Sequence, residues 1–177
     1  DVYKRQVHAD RLRAAEYSGR RAFELALAGR GGGSLPRQVM TDNAVENALR
    51  VLLAVGGSTN AIVHLTAIAG RLGIDIDLGR LNRLSDETPV LIDLKPTGEF
   101  YMEDLFAAGG LGAILRELKP LLHLDCPTVA GETLGERLDR EAGAYVDRRV
   151  VRPFDDPITP QGGLVALFGN CLLYTSD

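Results

Sequence analysis

Apolar residues recur at helical intervals through most of this chain and lose that spacing only towards its end. Residues 8–28, "HADRLRAAEYSGRRAFELALA", place Leu12, Ala15, Phe23, Ala26 and Leu27 at roughly helical spacing, interrupted by Ser18 and Gly19. The turn-rich breaker "GRGGGSLPRQ" follows. The clearest helix comes next. Thr41, Asp42 and Asn43 are candidate N-caps, Glu46 stands three residues after Asn43, and Ala44, Val45, Ala48, Leu49, Leu52 and Leu53 form one apolar stripe that Gly56 and Gly57 end. Ser58, Thr59 or Asn60 then caps a second helix with the stripe Ile62, Leu65, Ile68, Ala69 and Leu72, closed by Gly73.

Beyond the connector "IDIDL", the stretch "GRLNRLSDE" predicts a short helix capped by Asp77. "PVLIDL", residues 89–94, is rich in β-branched residues and bounded by Pro89 and "KPTGE", the signature of a strand. "MEDLFAAGGLGAILRELKPLL" predicts two helical pieces around Gly109 and Gly110, stopped at Pro120, and "TVAGETLGERLDRE" a loop followed by a short helix. After residue 143 the character changes. "YVDRRVVRPFDDPITPQGGLVALFGN" mixes prolines and a glycine pair with runs such as "RVVRP" and "LVALF", which predicts short strands, turns and a domain boundary.

Composition narrows the function classes. With 45% apolar and 25% charged residues over 177 positions, the chain has the makings of one domain-sized core. A net charge of −4 and a pI near 5.4 offer no basic stripe for a phosphate backbone, so nucleic acid is not an expected partner. No apolar run reaches the 18 or so residues of a membrane span, and "DVYKRQVHAD" has no signal-peptide core, so the expected location is cytoplasmic, away from membranes. Cys126 and Cys171 cannot alone build a disulfide framework or a four-ligand metal site, and His8, His64 and His123 lack partners at metal-ligand spacing. The ends "DVYKRQ" and "CLLYTSD" resemble translated adapter tails. The natural segment is therefore expected to run from about Val7 to Asn170, with residues 1–6 and 171–177 as tails.

The candidate chemistry centres on "GGSTN", residues 56–60. A glycine turn feeding a helix N-terminus exposes backbone N–H groups at the positive end of the helix dipole beside two hydroxyls, a corner suited to a carboxylate or phosphate. The same residues equally make an ordinary capped corner between helices. No Gly-Lys-Ser/Thr follows, so it is not a P-loop. His64, one turn further on, reads as a half-buried side chain or as a companion to the corner. Glu103 and Asp104 favour a helix start; as neighbours they do not face each other as an acid–base pair would. Cys126 reads as a small apolar filler, Asp155 and Asp156 as turn formers, and Gly162 and Gly163 as a bend or a close backbone approach.

Four blocks in order, "ENALRVLLAVGGSTNAIVHLTAIAGRLGI", "RLSDETPVLIDLKPTGEFYMEDLFAAGGLGAILREL", "LLHLDCPTVAGETLGE" and "VVRPFDDPITPQGGLVALFGN", closely resemble the dihydroxy-acid dehydratase and phosphogluconate dehydratase family over nearly all of residues 16–170. The resemblance implies an α/β fold: the helix-rich later part of an N-terminal dehydratase domain over residues 7–146, then over 147–170 the first strands of a β-barrel-like C-terminal domain. It implies a hydro-lyase that converts a 2,3-dihydroxy acid to a 2-keto acid, with branched-chain dihydroxy acids as the leading substrate class. Sugar acids such as an aldonate or phosphogluconate are the alternative, and a non-catalytic piece is the reading for the 177 residues taken alone. It further implies an iron–sulfur cluster, expected as 2Fe–2S, on three cysteines, a Mg²⁺ ion, and a serine base in the C-terminal domain, all outside this segment, and a homodimeric parent. Within the segment no catalytic or metal-ligating residue is expected; Ser58, Thr59, Asn60 and His64 are expected to line the substrate pocket.

Overall fold

The computed structural model describes residues 9–28 and 35–169. The terminal tails, most of the glycine breaker and Asn170 lie outside the described residues, as do His8 and Cys171. The helices are α1 (Ala9–Ala28), α2 (Pro36–Val39), α3 (Asp42–Ala54), α4 (Thr59–Gly70), α5 (Leu78–Glu87), α6 (Met102–Ala107), α7 (Gly110–Glu117) and α8 (Leu134–Arg140), with a 3-10 turn at Lys119–Leu121.

Cap chemistry decides most of these ends. The Thr41 hydroxyl accepts the Ala44 N–H at 3.2 Å, so Thr41 is the cap among the three candidates before α3. Asp77 accepts from the Gly79 and Arg80 amides at 3.0 Å each, as its position predicted. Thr133 and Glu136 exchange bonds in a full capping box on α8. Asp104 turns back to accept the Tyr101 N–H at 2.7 Å, which gives that carboxylate a structural task at the head of α6. Gly109, at φ +111°, separates α6 from α7. The expected break in α1 at Ser18 and Gly19 does not occur. The helix runs through both, flanked by Arg20–Glu16 and Arg21–Glu24 pairs, and keeps Leu12, Tyr17, Phe23 and Leu27 exposed.

Two apolar cores meet along α3. One holds Val45, Leu49 and Leu53 of α3 against Ala69 of α4, Ile76, and Leu81 and Leu84 of α5. The other joins Ala54, Leu91, Ile92, Leu105, Ala113, Ile114 and Leu118 to Val150 and Val151, so the chain beyond residue 146 packs on the same interior.

The strand expected at 89–94 and those expected after 147 are replaced by single bridges. Val90 pairs with Thr159 and Ile92 with Val151, both antiparallel. Neighbouring segments still pair much of its backbone: Leu91 N–H donates to Ala54, Asp93 N–H to Val150, and Arg152 N–H to Leu91, at 2.8–3.1 Å. Its partner strand cannot stay in register. Pro153, Pro157 and Pro160 remove ladder donors and turn the chain between one bridge and the next. "LVALF" makes no bridge. Among the described residues the architecture is therefore helix-rich, with extended segments and no barrel.

A charged network closes the joint between α3, α5 and residues 122–126. Arg80 grips Asp42 with two bonds of 2.9 and 3.0 Å and reaches Glu46 at 2.7 Å. Glu46 faces His123 Nε2 at 3.0 Å, and the buried Arg50 lies 3.4 Å from Glu46 and 2.9 Å from Glu87. Asn47, also buried, exchanges bonds with the His123 backbone at 2.8 and 3.0 Å. Burial pushes the Glu46 carboxyl up, but hydrogen bonds from Arg80 and His123 outweigh it and hold the group below its ordinary range. A lowered carboxylate contributes stability that is present above its unfolded value, about 4.5, and is lost as pH falls through the folded one. Glu46→Gln should cost about 3 kcal/mol, because it leaves two arginines short of a counter-charge. It should also flatten the acid side of the stability profile. Urea titrations of both proteins between pH 3 and 7 test this, and parallel pH profiles would refute it.

Candidate functional site

The glycine corner is built by the ends of two helices. At the close of α3, Gly56 N–H donates to Leu53 O at 3.1 Å and Gly57 N–H to Leu52 O at 2.9 Å, with Gly56 at φ +61°: a Schellman ending with Gly56 in the left-handed position. Gly57 is constrained by space, since a Cβ there would strike the Leu52 side chain. Ser58 then opens α4, its hydroxyl accepting the Asn60 N–H at 3.2 Å. The same ending recurs at the far end of α4, where Gly73 at φ +75° donates to Gly70 O and Ile74 to Ala69 O, as expected for a closing glycine.

Ser58, Thr59 and Asn60 stand together on the exposed rim of this corner, and His64 follows one turn along α4, also exposed. The side chains of Thr59, Asn60 and His64 have no hydrogen-bond or ion-pair partner among the described residues. His64 is therefore not the half-buried, satisfied histidine that its place near the apolar stripe allowed. The corner offers hydroxyl and amide groups and the positive end of a twelve-residue helix, with Gly163 lying against Gly56 on one side. It can orient a carboxylate or hydroxyl; it contains no acid–base pair.

Other polar groups are committed elsewhere. Cys126 is buried with Asn47 Nδ2 3.6 Å from its sulfur, and burial pushes its thiol up, so it behaves as packing. A cleft of about 270 Å³ between α7 and α8 is lined in part by Arg116, Lys119 and Arg148. Each faces a carboxylate: Arg148 lies 2.6 Å from Glu117, Arg116 lies 3.9 Å from Glu141, and Lys119 pairs with Asp139. Among the described residues no three His, Cys, Asp or Glu side chains converge, and Cys126 is the one cysteine, so these residues do not fit an iron–sulfur cluster on three cysteines. No helix among them is long and apolar enough to cross a membrane.

A helix-rich core with a polar glycine corner defines a fold class and not an activity, and the comparison with known proteins supplies the family. Residues 4–137 match the family described as dihydroxy-acid/6-phosphogluconate dehydratase N-terminal, and the chain belongs to that family. It is 40% identical over 164 residues to the dihydroxy-acid dehydratase of Dehalococcoides mccartyi strain 195, and 43% over 166 residues to that of Caldicellulosiruptor saccharolyticus. The dihydroxy-acid dehydratase of Caldicellulosiruptor bescii is 44% identical over 167 residues. Each match covers 93% of this chain but only 28–29% of the relative, so the chain spans under three tenths of the length of these curated relatives.

The capping role of the corner has a measurable size. Ser58→Ala should lower the unfolding free energy by about 1 kcal/mol. Gly56→Ala, which meets no neighbour, should cost a similar 1–2 kcal/mol or so from backbone conformation alone. Chemical denaturation of the two variants measures both, and a neutral Gly56→Ala would contradict the left-handed geometry.

Proposed function

We propose that this chain is part of a hydro-lyase that removes water from a branched-chain 2,3-dihydroxy acid to give the 2-keto acid, and that its glycine corner lines the substrate pocket of the whole enzyme. The supporting observation is the family match over residues 4–137, joined by relatives named dihydroxy-acid dehydratase along 93% of the chain. In this reading Ser58, Thr59 and Asn60 hydrogen-bond the substrate's carboxylate or hydroxyls, helped by the α4 dipole, with His64 beside them. They bind and orient; no proton transfer is assigned to them.

The iron–sulfur cluster, the Mg²⁺ ion and the serine base belong to the parent outside this segment in the same proposal. We place the entry to a β-rich C-terminal domain near residue 147, where the composition turns to prolines and short apolar runs. The parent is proposed to work as a cytoplasmic homodimer.

The test is a chimera in which residues 9–169 replace the matching segment of the full-length Caldicellulosiruptor bescii relative. The chimera should form 2-keto acid from 2,3-dihydroxyisovalerate; turnover of aldonates alone would replace the substrate class by sugar acids. In the same enzyme Ser58→Ala combined with Thr59→Ala should raise KM about tenfold or more, the effect of losing one or two hydrogen bonds to a charged ligand. Unchanged kinetics with lowered thermal stability would reduce the corner to a helix cap.

A further inference from the structure

Residues 162–166 form an extended strap that passes the corner at Gly56 and is clamped by α5. Asn82 Nδ2 donates to Ala166 O at 2.8 Å, and Ala166 N–H donates to Asn82 Oδ1 at 2.7 Å. One side-chain amide thus holds both backbone groups of one residue, as a neighbouring strand would. One turn further along the same helix face, Ser85 O accepts the Gly162 N–H at 2.7 Å. Between the two clamps lies Gly163, and a Cβ there would sit 3.4 Å from Gly56 Cα. A Cβ on Gly162 would stand 2.7 Å from Ser85 Oγ and 3.2 Å from Leu53 Cβ, so the strap runs as close to α3 and α5 as backbone permits. Leu164 anchors it in the α3–α4–α5 core.

We propose that Asn82 is a positioning residue for the glycine corner, holding the Gly162–Ala166 strap against Gly56 so that the turn leading into Ser58 and Thr59 keeps one shape. The inference rests on the pocket reading of the corner. Asn82 itself touches no ligand. It acts through the strap, and it grips backbone only, so the side chain at position 166 does not set the geometry. Ala166 is half-buried, and without Asn82 its N–H and C=O have no other partner among the described residues. The strap would then be held by Gly162 and Leu164 alone, leaving its later half free to swing away from α5.

The experiment uses the same active full-length chimera with four variants: Asn82→Ala, Asn82→Asp, Ser58→Ala and Thr133→Ala. Asn82→Asp keeps the size and the acceptor for Ala166 N–H but loses the donor to Ala166 O, and it reports on the clamp if Asn82→Ala does not accumulate. Thr133→Ala removes a cap from α8, outside the corner, and controls for lost stability. Asn82→Ala should raise KM for 2,3-dihydroxyisovalerate about tenfold with kcat changed less than about twofold. Asn82→Asp should be intermediate and Thr133→Ala unchanged. Amide exchange at Ala166 should accelerate in Asn82→Ala, less so in Asn82→Asp, and not in Thr133→Ala. A raised KM in Ser58→Ala with wild-type kinetics in both Asn82 variants overturns the clamp while leaving the pocket reading intact. Equal increases in Thr133→Ala overturn it as general loosening. Unchanged KM in Ser58→Ala and in its combination with Thr59→Ala removes the pocket reading, and the clamp's role in it falls with it.

Discussion

One carboxylate, that of Glu46, joins three parts of the chain that are distant in sequence. It stands on α3, accepts from Arg80 of α5, faces His123 of the 122–126 loop, and neutralises its own helix neighbour Arg50. Two physical conditions make this contact decisive. Arg50 is buried and its Nε has no partner among the described residues, so its remaining nitrogens depend on Glu46, Glu87 and Thr88. Asn47, the next residue along, ties the His123 backbone in both directions, so the same loop is held by charge and by an amide. Around this polar joint the two apolar cores are arranged, one on each side of α3.

The second constraint is backbone satisfaction. Residues 90–93 cross the interior without the regularity of a sheet, and their N–H groups draw acceptors from outside the segment. Three of the four do so, from three directions: Leu91 from Ala54 at the end of α3, Asp93 from Val150, and Val90 from Thr159. The prolines that prevent a continuous ladder also bend the chain back over α5, which brings Gly162 and Gly163 to the end of α3. The glycine corner is thus flanked by a strap whose path follows from an interrupted sheet, and the Asn82 side chain and Ser85 carbonyl of α5 hold in place what hydrogen-bonded strands hold elsewhere.

Much of the helical framework was legible because it is local. The stripe of α3 emerged as read, its six apolar positions all buried or half-buried, and Asp77, Gly73, Gly109 and the Ser58 cap took the roles their chemistry suggested. What misled was also local in origin: Ser18 and Gly19 suggested a break that a solvated helix tolerates, and "PVLIDL" had the composition of a strand without a partner able to pair along its length. His123 read as an isolated histidine because its partners lie 76 and 77 positions away. Asn82 carried no signal at all, since an asparagine that grips another segment's backbone looks like any polar residue on a helix.

By itself, then, the sequence determined the helices, their caps, the glycine endings and the family, because these depend on side-chain periodicity, on hydrogen bonds within a turn or two, and on the order of motifs. Tertiary structure alone decided that Glu46 would sit between Arg80 and His123, that Asn47 would hold the His123 backbone, and that a strap clamped by Asn82 would pass against Gly56. These are contacts across tens of residues, and they arise from which buried charges and backbone groups must find partners once the apolar faces have closed.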